Sequence, residues 1–508
     1  MKKNISFLSI TLLMLLSSCN LQKKSTKEEI YAQIELGNHT LAREQIDRVM
    51  QNELLTEEER KAYLFALDSL HRVELDFRKT RAEVVDWIKK NCGFMPSDSL
   101  LNAWEQSNVL EFRTIDGEKR YFRNAAPNIF RVDSAARALS KNSIPRSDTP
   151  RDSLLIDAFT NKTATDMKGK YLLPKRTVRL RYTLTVEPNA VADGETLKVW
   201  LPFPRKNIER QTDVKLLSTT QGAYTLSDDR TVHTSLYMEQ QAKKDQPAVF
   251  GFEAEVTSHG EWFDLSEITV KPYNENDELF TIYTAERVPH IRFSADIRQL
   301  TDSITRDART PVETLQAVYA YITAHYPWAS ALEYSTIADI PAYVIKNRKG
   351  DCGQVALLLI TMLRYKGIPA RWQSGWMTHP GEVNLHDWAE VYFEGTGWVP
   401  VDVSFGRGGP VAIAPGRFFF MSGIGCISIR TIRARSIPRK SFREAKRSIF
   451  NEAKWNPAME IFISTDGSMI WKSRIGKKER LVRHTATKKR TRGARGGVSK
   501  KRIFAMWN

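Results

Sequence analysis

From Glu28 to Met50, and again from Thr56 to Cys92, apolar residues recur three or four positions apart. Tyr63, Leu67, Leu70, Val73, Phe77, Val84, Trp87 and Ile88 form one stripe, the period of an amphipathic helix. Thr56 followed by Glu59 supplies a capping box. FRTIDGEKRYF reads as a hairpin turning at Asp116-Gly117. Ser140 to Lys170 is rich in Ser, Thr, Asp, Asn and Pro, the composition of a linker. The period then changes to two. Val178, Leu180, Tyr182, Leu184 and Val186 alternate with polar residues, as do Phe250, Phe252, Ala254 and Val256, which predicts a β-sandwich from about Leu173 to Arg287. A helix is expected from Thr310-Pro311, capped by Glu313 and stopped at Tyr326-Pro327. A second, apolar all round and hence buried, runs from Gly353 to Lys366 before Gly367-Ile368-Pro369. Finally, NLHDWAEVYFEGTGWVPVDVSFG predicts two strands joined through Gly395-Thr396-Gly397.

At 508 residues the chain exceeds one ordinary core, and 12 Trp with 42% hydrophobic content make it globular. The pattern predicts a multidomain α+β protein: signal peptide 1–19, helical region 20–139, linker 140–172, β-sandwich-like domain 173–287, α+β core 288–424 and tail 425–508. Lys2 and Lys3 before the apolar run Ile5–Leu16 form a secretory signal. Leu16-Ser17-Ser18-Cys19 resembles a bacterial lipobox, which implies that Cys19 is acylated and that the mature chain is anchored to an envelope membrane. The other cysteines, Cys92, Cys352 and Cys426, are an odd set and imply no disulfide framework.

The formal charge of +17 invites a nucleic-acid partner, but its distribution argues against one. From Gly425 to Asn508 there are 23 Lys and Arg against 5 Asp and Glu, whereas the first 424 residues carry 53 against 54. The tail shows neither strand nor helix period nor aromatic interleaving. It reads as an unfolded product of a frame change after Ile424, with a basic arm for anionic lipid or nucleic acid, or a disordered solvated extension, as the competing readings.

Candidate chemistry centres on Cys352, which stands in RKGDCGQ at the threshold of the apolar helix rather than inside it. A helix N-terminus favours a thiolate and is expected to draw a thiol from about 8.5 into roughly 3.5–7.5, while its N–H groups are placed for an oxyanion. If Glu394 and Trp398 flank the hairpin loop as a pair, Asp402 falls opposite Glu390, and the even parity sets His386 and Asp402 on one face. Nucleophile, base and orienting carboxylate are then Cys352, His386 and Asp402. Here GDCGQ, HDWAEVYF and GWVPVDVS resemble the three blocks of the transglutaminase-like superfamily, over about Pro311 to Gly406. The resemblance implies a papain-like core with these three residues catalytic. The expected activity is attack on an amide of a protein or peptide, forming a thioester that passes to water or to an amine. No metal or nucleotide motif is present, so no cofactor is expected. The alternative is a non-catalytic envelope lipoprotein that uses the same core as a binding scaffold; oligomeric state is left open.

Two testable outcomes follow. Cys19→Ser is expected to move the protein from the membrane to the soluble fraction; retention after a high-salt wash would disprove the lipid anchor. Resequencing the gene is expected to find an inserted or missing base near codon 424, and an unbroken frame would restore the basic arm.

Overall fold

The structure, a computed structural model, describes residues 26–52, 54–142, 163–206, 208–227, 233–268, 270–379 and 382–404, together with the strand segments 427–428, 459–463, 469–475 and 478–483. The signal peptide with Cys19, Cys426, and most of the linker and of the tail lie outside the described residues. Within the tail, four strand backbones are given, Ile427–Ser428, Met459–Ile463, Met469–Ile475 and Lys478–Arg483. Packing divides the chain between Pro127 and Asn128.

The first unit is helical with one hairpin. Helices Lys27–Glu35 and His39–Asn52 meet at Gly37, whose φ of +82° suits glycine and whose missing Cβ lets Thr114 O approach. The hairpin turns where expected, with Asp116 and Gly117 both at positive φ. Asp116 then accepts hydrogen bonds from Thr40 N (3.0 Å) and Thr40 Oγ1 (2.8 Å), tying the hairpin tip to the second helix. The stretch expected as a continuous helical pattern from Thr56 to Cys92 is two helices, Glu57–Asp76 and Arg81–Cys92. Thr80 and Glu83 form a second capping box, and Lys79 exchanges both backbone hydrogen bonds with Tyr121, so the chain leaves the helix to complete the sheet.

In the second unit, Arg176–Val186 pairs antiparallel with Ala248–Ser258, which pairs with Gln211–Thr219; Thr196–Phe203, Thr234–Gln241 and Thr225–Leu226 form another sheet. Their inward residues, Leu180, Tyr182, Phe250 and Phe252 from one sheet with Leu201, Phe203, Leu236 and Met238 from the other, make one core. Both expected boundaries move. Lys170–Leu172, expected in the linker, pairs with Glu261–Phe263, and buried Lys170 bonds Glu209 and, at 3.1 Å, Glu261. At the other end, 271–285 belongs with the α+β core, because Lys271 N donates to Glu394 O, Tyr273 Oη to Tyr392 O, and Arg364 to the carbonyls of Ile282 and Ala285. These are long-range hydrogen bonds with no local signature.

The α+β core has helices Ala295–Ile304, Pro311–His325, Ile340–Asn347 and Cys352–Tyr365. Its sheet runs Gly397–Val401, Glu382–Phe393, Ala370–His379, then Ile427–Ser428. The Pro311 helix begins with the expected Thr310–Glu313 box. The Cys352 helix is buried from Gly353 through Arg364, consistent with its mostly apolar run from Val355 to Leu363.

The histidine strand, Glu382–Phe393, buries Glu390 among charges. Glu390 accepts from Arg371 Nε (2.8 Å), Gln373 Nε2 (2.7 Å) and Arg210 Nη1 (3.1 Å). Burial alone would raise its carboxyl; Arg371 and Arg210 reverse that and hold it at about 2, against an ordinary 4.5. A depressed carboxyl stabilises the fold above its unfolded value and loses that contribution as pH falls, here between 4.5 and about 2. Glu390→Gln strands two guanidinium groups and is expected to cost about 3–5 kcal/mol in denaturant unfolding. It should also flatten the acid limb of stability below pH 4.5. A variant as stable as the natural chain, with an unchanged acid limb, would contradict this account.

Candidate active site

Cys352 opens its helix because Asp351 caps it. Asp351 Oδ1 accepts from Gln354 N (3.0 Å) while Gln354 Oε1 accepts from Asp351 N (3.3 Å), a capping box within GDCGQ that the apolar pattern did not single out. Tyr334, in the short turn Tyr334–Thr336, donates its hydroxyl to the same Asp351 oxygen. The preceding loop is fixed by Gly350, which exchanges backbone hydrogen bonds with Pro327 and Ala329. That pairing brings Trp328 within two residues of the nucleophile; it is 37% exposed, with the Arg131 guanidinium 4.9 Å from its ring centre.

His386 lies on the second strand after the helix and Asp402 just past the end of the return strand. The observed register pairs Phe393 with Gly397 and Glu390 with Pro400, so the loop is Glu394-Gly395-Thr396 and the pairing is shifted by two from the expected one. Extending it sets residue 402 beside Trp388 instead of Glu390. A shift of two preserves parity, so the inferred shared face survives the error. His386 and Asp402 are both buried, and His386 Nε2 lies 2.5 Å from Asp402 Oδ2. The other Asp402 oxygen accepts from Ser404 N (2.8 Å), and Tyr319 Oη donates to the Asp402 carbonyl. With Nε2–H given to Asp402, a neutral His386 presents an unprotonated Nδ1, the tautomer a general base requires.

Cys352 meets the histidine strand at its edge. Pairing with the return strand stops at Ala389–Val401, leaving the Asp387 amide beyond the last rung. That amide donates to Cys352 Sγ, and Asp387 Oδ2 lies 3.9 Å from the sulfur. A backbone N–H points along the plane of a sheet, so the sulfur sits between the strand's two faces, with His386 projecting to one and Asp387 to the other. Trp372 Nε1 donates to Asp387 Oδ1 at 3.2 Å. Asp387, Tyr334 and Trp372 carried no signal in the sequence pattern: strand alternation turned Asp387 away from His386, and the other two arrive through tertiary contacts.

The electrostatics overturn one expectation. Burial pushes the Cys352 thiol well above its ordinary value, the carboxylates of Asp351, Asp387 and Asp402 push it further, and the Asp387 amide opposes them. A helix N-terminus carries about half a positive charge, too little against carboxylates of full charge at contact range. His386 is drawn down by burial but raised overall by Asp402, Asp387 and Asp351. The surroundings of the sulfur therefore favour the thiol over the thiolate, the opposite of what the helix start alone suggests.

Of the remaining histidines, His325 lies on its own helix with Nδ1 2.9 Å from Tyr321 O; the side chain of His379 lies outside the described residues.

Residues 298–403 match the family model described as the Transglutaminase-like superfamily. The uncharacterized protein YebA of Bacillus subtilis is 24% identical over 176 residues, 30% of this chain and 24% of that protein, so the chain spans about a quarter of its length. Among solved structures, a candidate cysteine protease from Cytophaga hutchinsonii shares 16% identity over 55% of this chain and 99% of that one, with a TM-score of 0.39. The periplasmic domain of TgpA from Pseudomonas aeruginosa shares 17% over 59% and 83%, with a TM-score of 0.25. By its family match, and with Cys352, His386 and Asp402 all inside the matched segment, the chain carries a transglutaminase-like domain over residues 298–403.

Proposed function

We propose that this domain is a cysteine enzyme that cleaves or exchanges amide bonds through a thioester. The observation that carries the reading is the buried His386–Asp402 pair, 2.5 Å apart, with His386 on the strand whose edge holds the Cys352 sulfur. His386 Nδ1 takes the thiol proton as sulfur attacks the amide carbonyl. The negative charge moves onto the carbonyl oxygen, near the first N–H groups of the helix. As the carbon–nitrogen bond breaks, imidazolium returns the proton to the departing amine. Water or a second amine then attacks the thioester, His386 again accepting a proton and delivering it to the sulfur. Hydrolysis is our preferred outcome, with transfer to an amine sharing every step up to the acceptor.

The sequence before residue 26 leads us to place the chain in the cell envelope, exported on its signal and held through lipid on Cys19. No described helix is long and apolar enough to cross a membrane.

Cys352→Ala is expected to abolish turnover of amide peptides supplied with an amine donor, and mass spectrometry of the products separates added water from added amine. Retained turnover in that variant would overturn the reading. Because Asp402 holds the His386 pKa above its ordinary 6.5, the base form accumulates only as pH climbs past that raised value, and the acid limb of kcat/KM should lie above 6.5. Asp402→Asn should lower that limb and cut kcat by about 10³–10⁴, since an amide facing Nε2 favours the wrong tautomer.

A further inference from the structure

We infer that Asp387 is a specificity-determining residue of this site, selecting amide substrates that carry a positively charged nitrogen beside the scissile bond. The inference rests on the catalytic role proposed for Cys352, and its observations are geometric. Asp387 Oδ2 stands 3.9 Å from the nucleophilic sulfur, on the side of the strand opposite His386. A carbonyl carbon in attack range, about 3–3.5 Å from sulfur, brings its substituents close to that oxygen. At the helix start a Cβ on Gly353 would lie 2.6 Å from Asp387 Oδ2 and 2.4 Å from Tyr334 Oη, so glycine there lets the carboxylate pack against the first turn, one residue from the sulfur. Trp372 Nε1, at 3.2 Å from Oδ1, fixes the carboxylate in this direction.

The other carboxylates nearby have positional tasks. Asp402 orients His386, and Asp351 caps the helix while accepting the Tyr334 hydroxyl. Asp387 lies past the last rung of the return strand, with Oδ1 accepting from Trp372 Nε1 and Oδ2 turned to the sulfur. A carboxylate in contact with a sulfur that must become negative, and near an oxygen that must become negative, opposes the reaction of a neutral or anionic substrate. A substrate ammonium or guanidinium group against Asp387 cancels that charge at the moment of attack, and so favours its own turnover. The charged and titratable groups around the sulfur are Asp351, Tyr334, Asp387 and Asp402, with His386 across the strand.

The test pairs two measurements on the full chain. Peptide amides alike except for an ammonium, an acetylated amine or a carboxylate beside the scissile bond should rank in that order in kcat/KM. The first should exceed the second by about tenfold, the effect of one well-placed charge pair. Independently of turnover, Cys352 alkylation is followed by mass spectrometry with 2-bromoethylammonium, iodoacetamide and iodoacetate, each rate divided by that for a free thiol. The cationic reagent should be favoured. In Asp387→Asn both preferences should collapse and iodoacetamide should react several-fold faster at a fixed pH near 7, while Asp387→Glu keeps the preference. Equal corrected rates across the reagent charges in the natural chain, or a preference that persists in Asp387→Asn, would overturn the inference. If no peptide is turned over, the reading of the domain as an enzyme fails while the alkylation series still decides the role of Asp387. Should Asp387→Asn fail to fold, the charge series on the natural chain decides between the two outcomes.

Discussion

The two-residue alternation of the strand Glu382–Phe393 is the constraint on which the site depends. One face carries His386, Trp388 and Glu390, the other Asp387, Ala389 and Val391. Glu390 ties the first face to Arg210, from the region between the sandwich strands, and to Arg371 on the neighbouring strand, so the sheet bearing the base is fixed by a buried ion set. The second face meets the nucleophile helix, whose first residues touch Asp387. A one-residue slip would exchange these faces, expose Ala389 and Val391 to the guanidinium groups, and remove the imidazole from Asp402. Core packing and chemistry therefore select the same register.

Charge sets the state of the Cys352 thiol. A helix start by itself would favour a thiolate, and the position of Cys352 suggested one. The cap that makes the helix start is a carboxylate, Asp351, and the strand edge adds Asp387. Burial first, and then these full charges, push the thiol up, against the partial positive charge of the helix. The same carboxylates act on His386 in the opposite sense, Asp402 above all favouring the charged imidazole against its burial.

Much of this was legible in the chain because local chemistry and periodicity carried it. The Thr56–Glu59 and Thr310–Glu313 boxes, the Asp116-Gly117 turn and the all-apolar helix after Cys352 each depend on neighbours within a few positions. The shared face of His386 and Asp402 was legible even though the pairing was misjudged by two, since faces depend on parity and not on the rung. Features set by distant partners were illegible. The break before Thr80 answers to Tyr121, residues 271–285 answer to the core sheet, and Tyr334 reaches Asp351 across 17 positions. Asp387 could have been found by asking which backbone groups the short return strand leaves unpaired, rather than which side chains face His386.

Strand pairing also bears on the part played by Asp402 itself. If the return strand continued for two more rungs, residue 403 would stand opposite Asp387, and backbone would occupy the edge position that the sulfur now holds. The strand stops because Asp402 folds its side chain onto the chain ahead: Oδ1 accepts the Ser404 N–H at 2.8 Å, a local turn that competes with further pairing. Its other oxygen receives His386 at 2.5 Å. One carboxylate thus ends the strand, which leaves the edge open for the thiol, and holds the His386 ring in place. An amide at this position keeps an oxygen for the turn but loses the charge that supports imidazolium; a side chain without that oxygen loses the strand end as well, and with it the place where Cys352 meets the sheet.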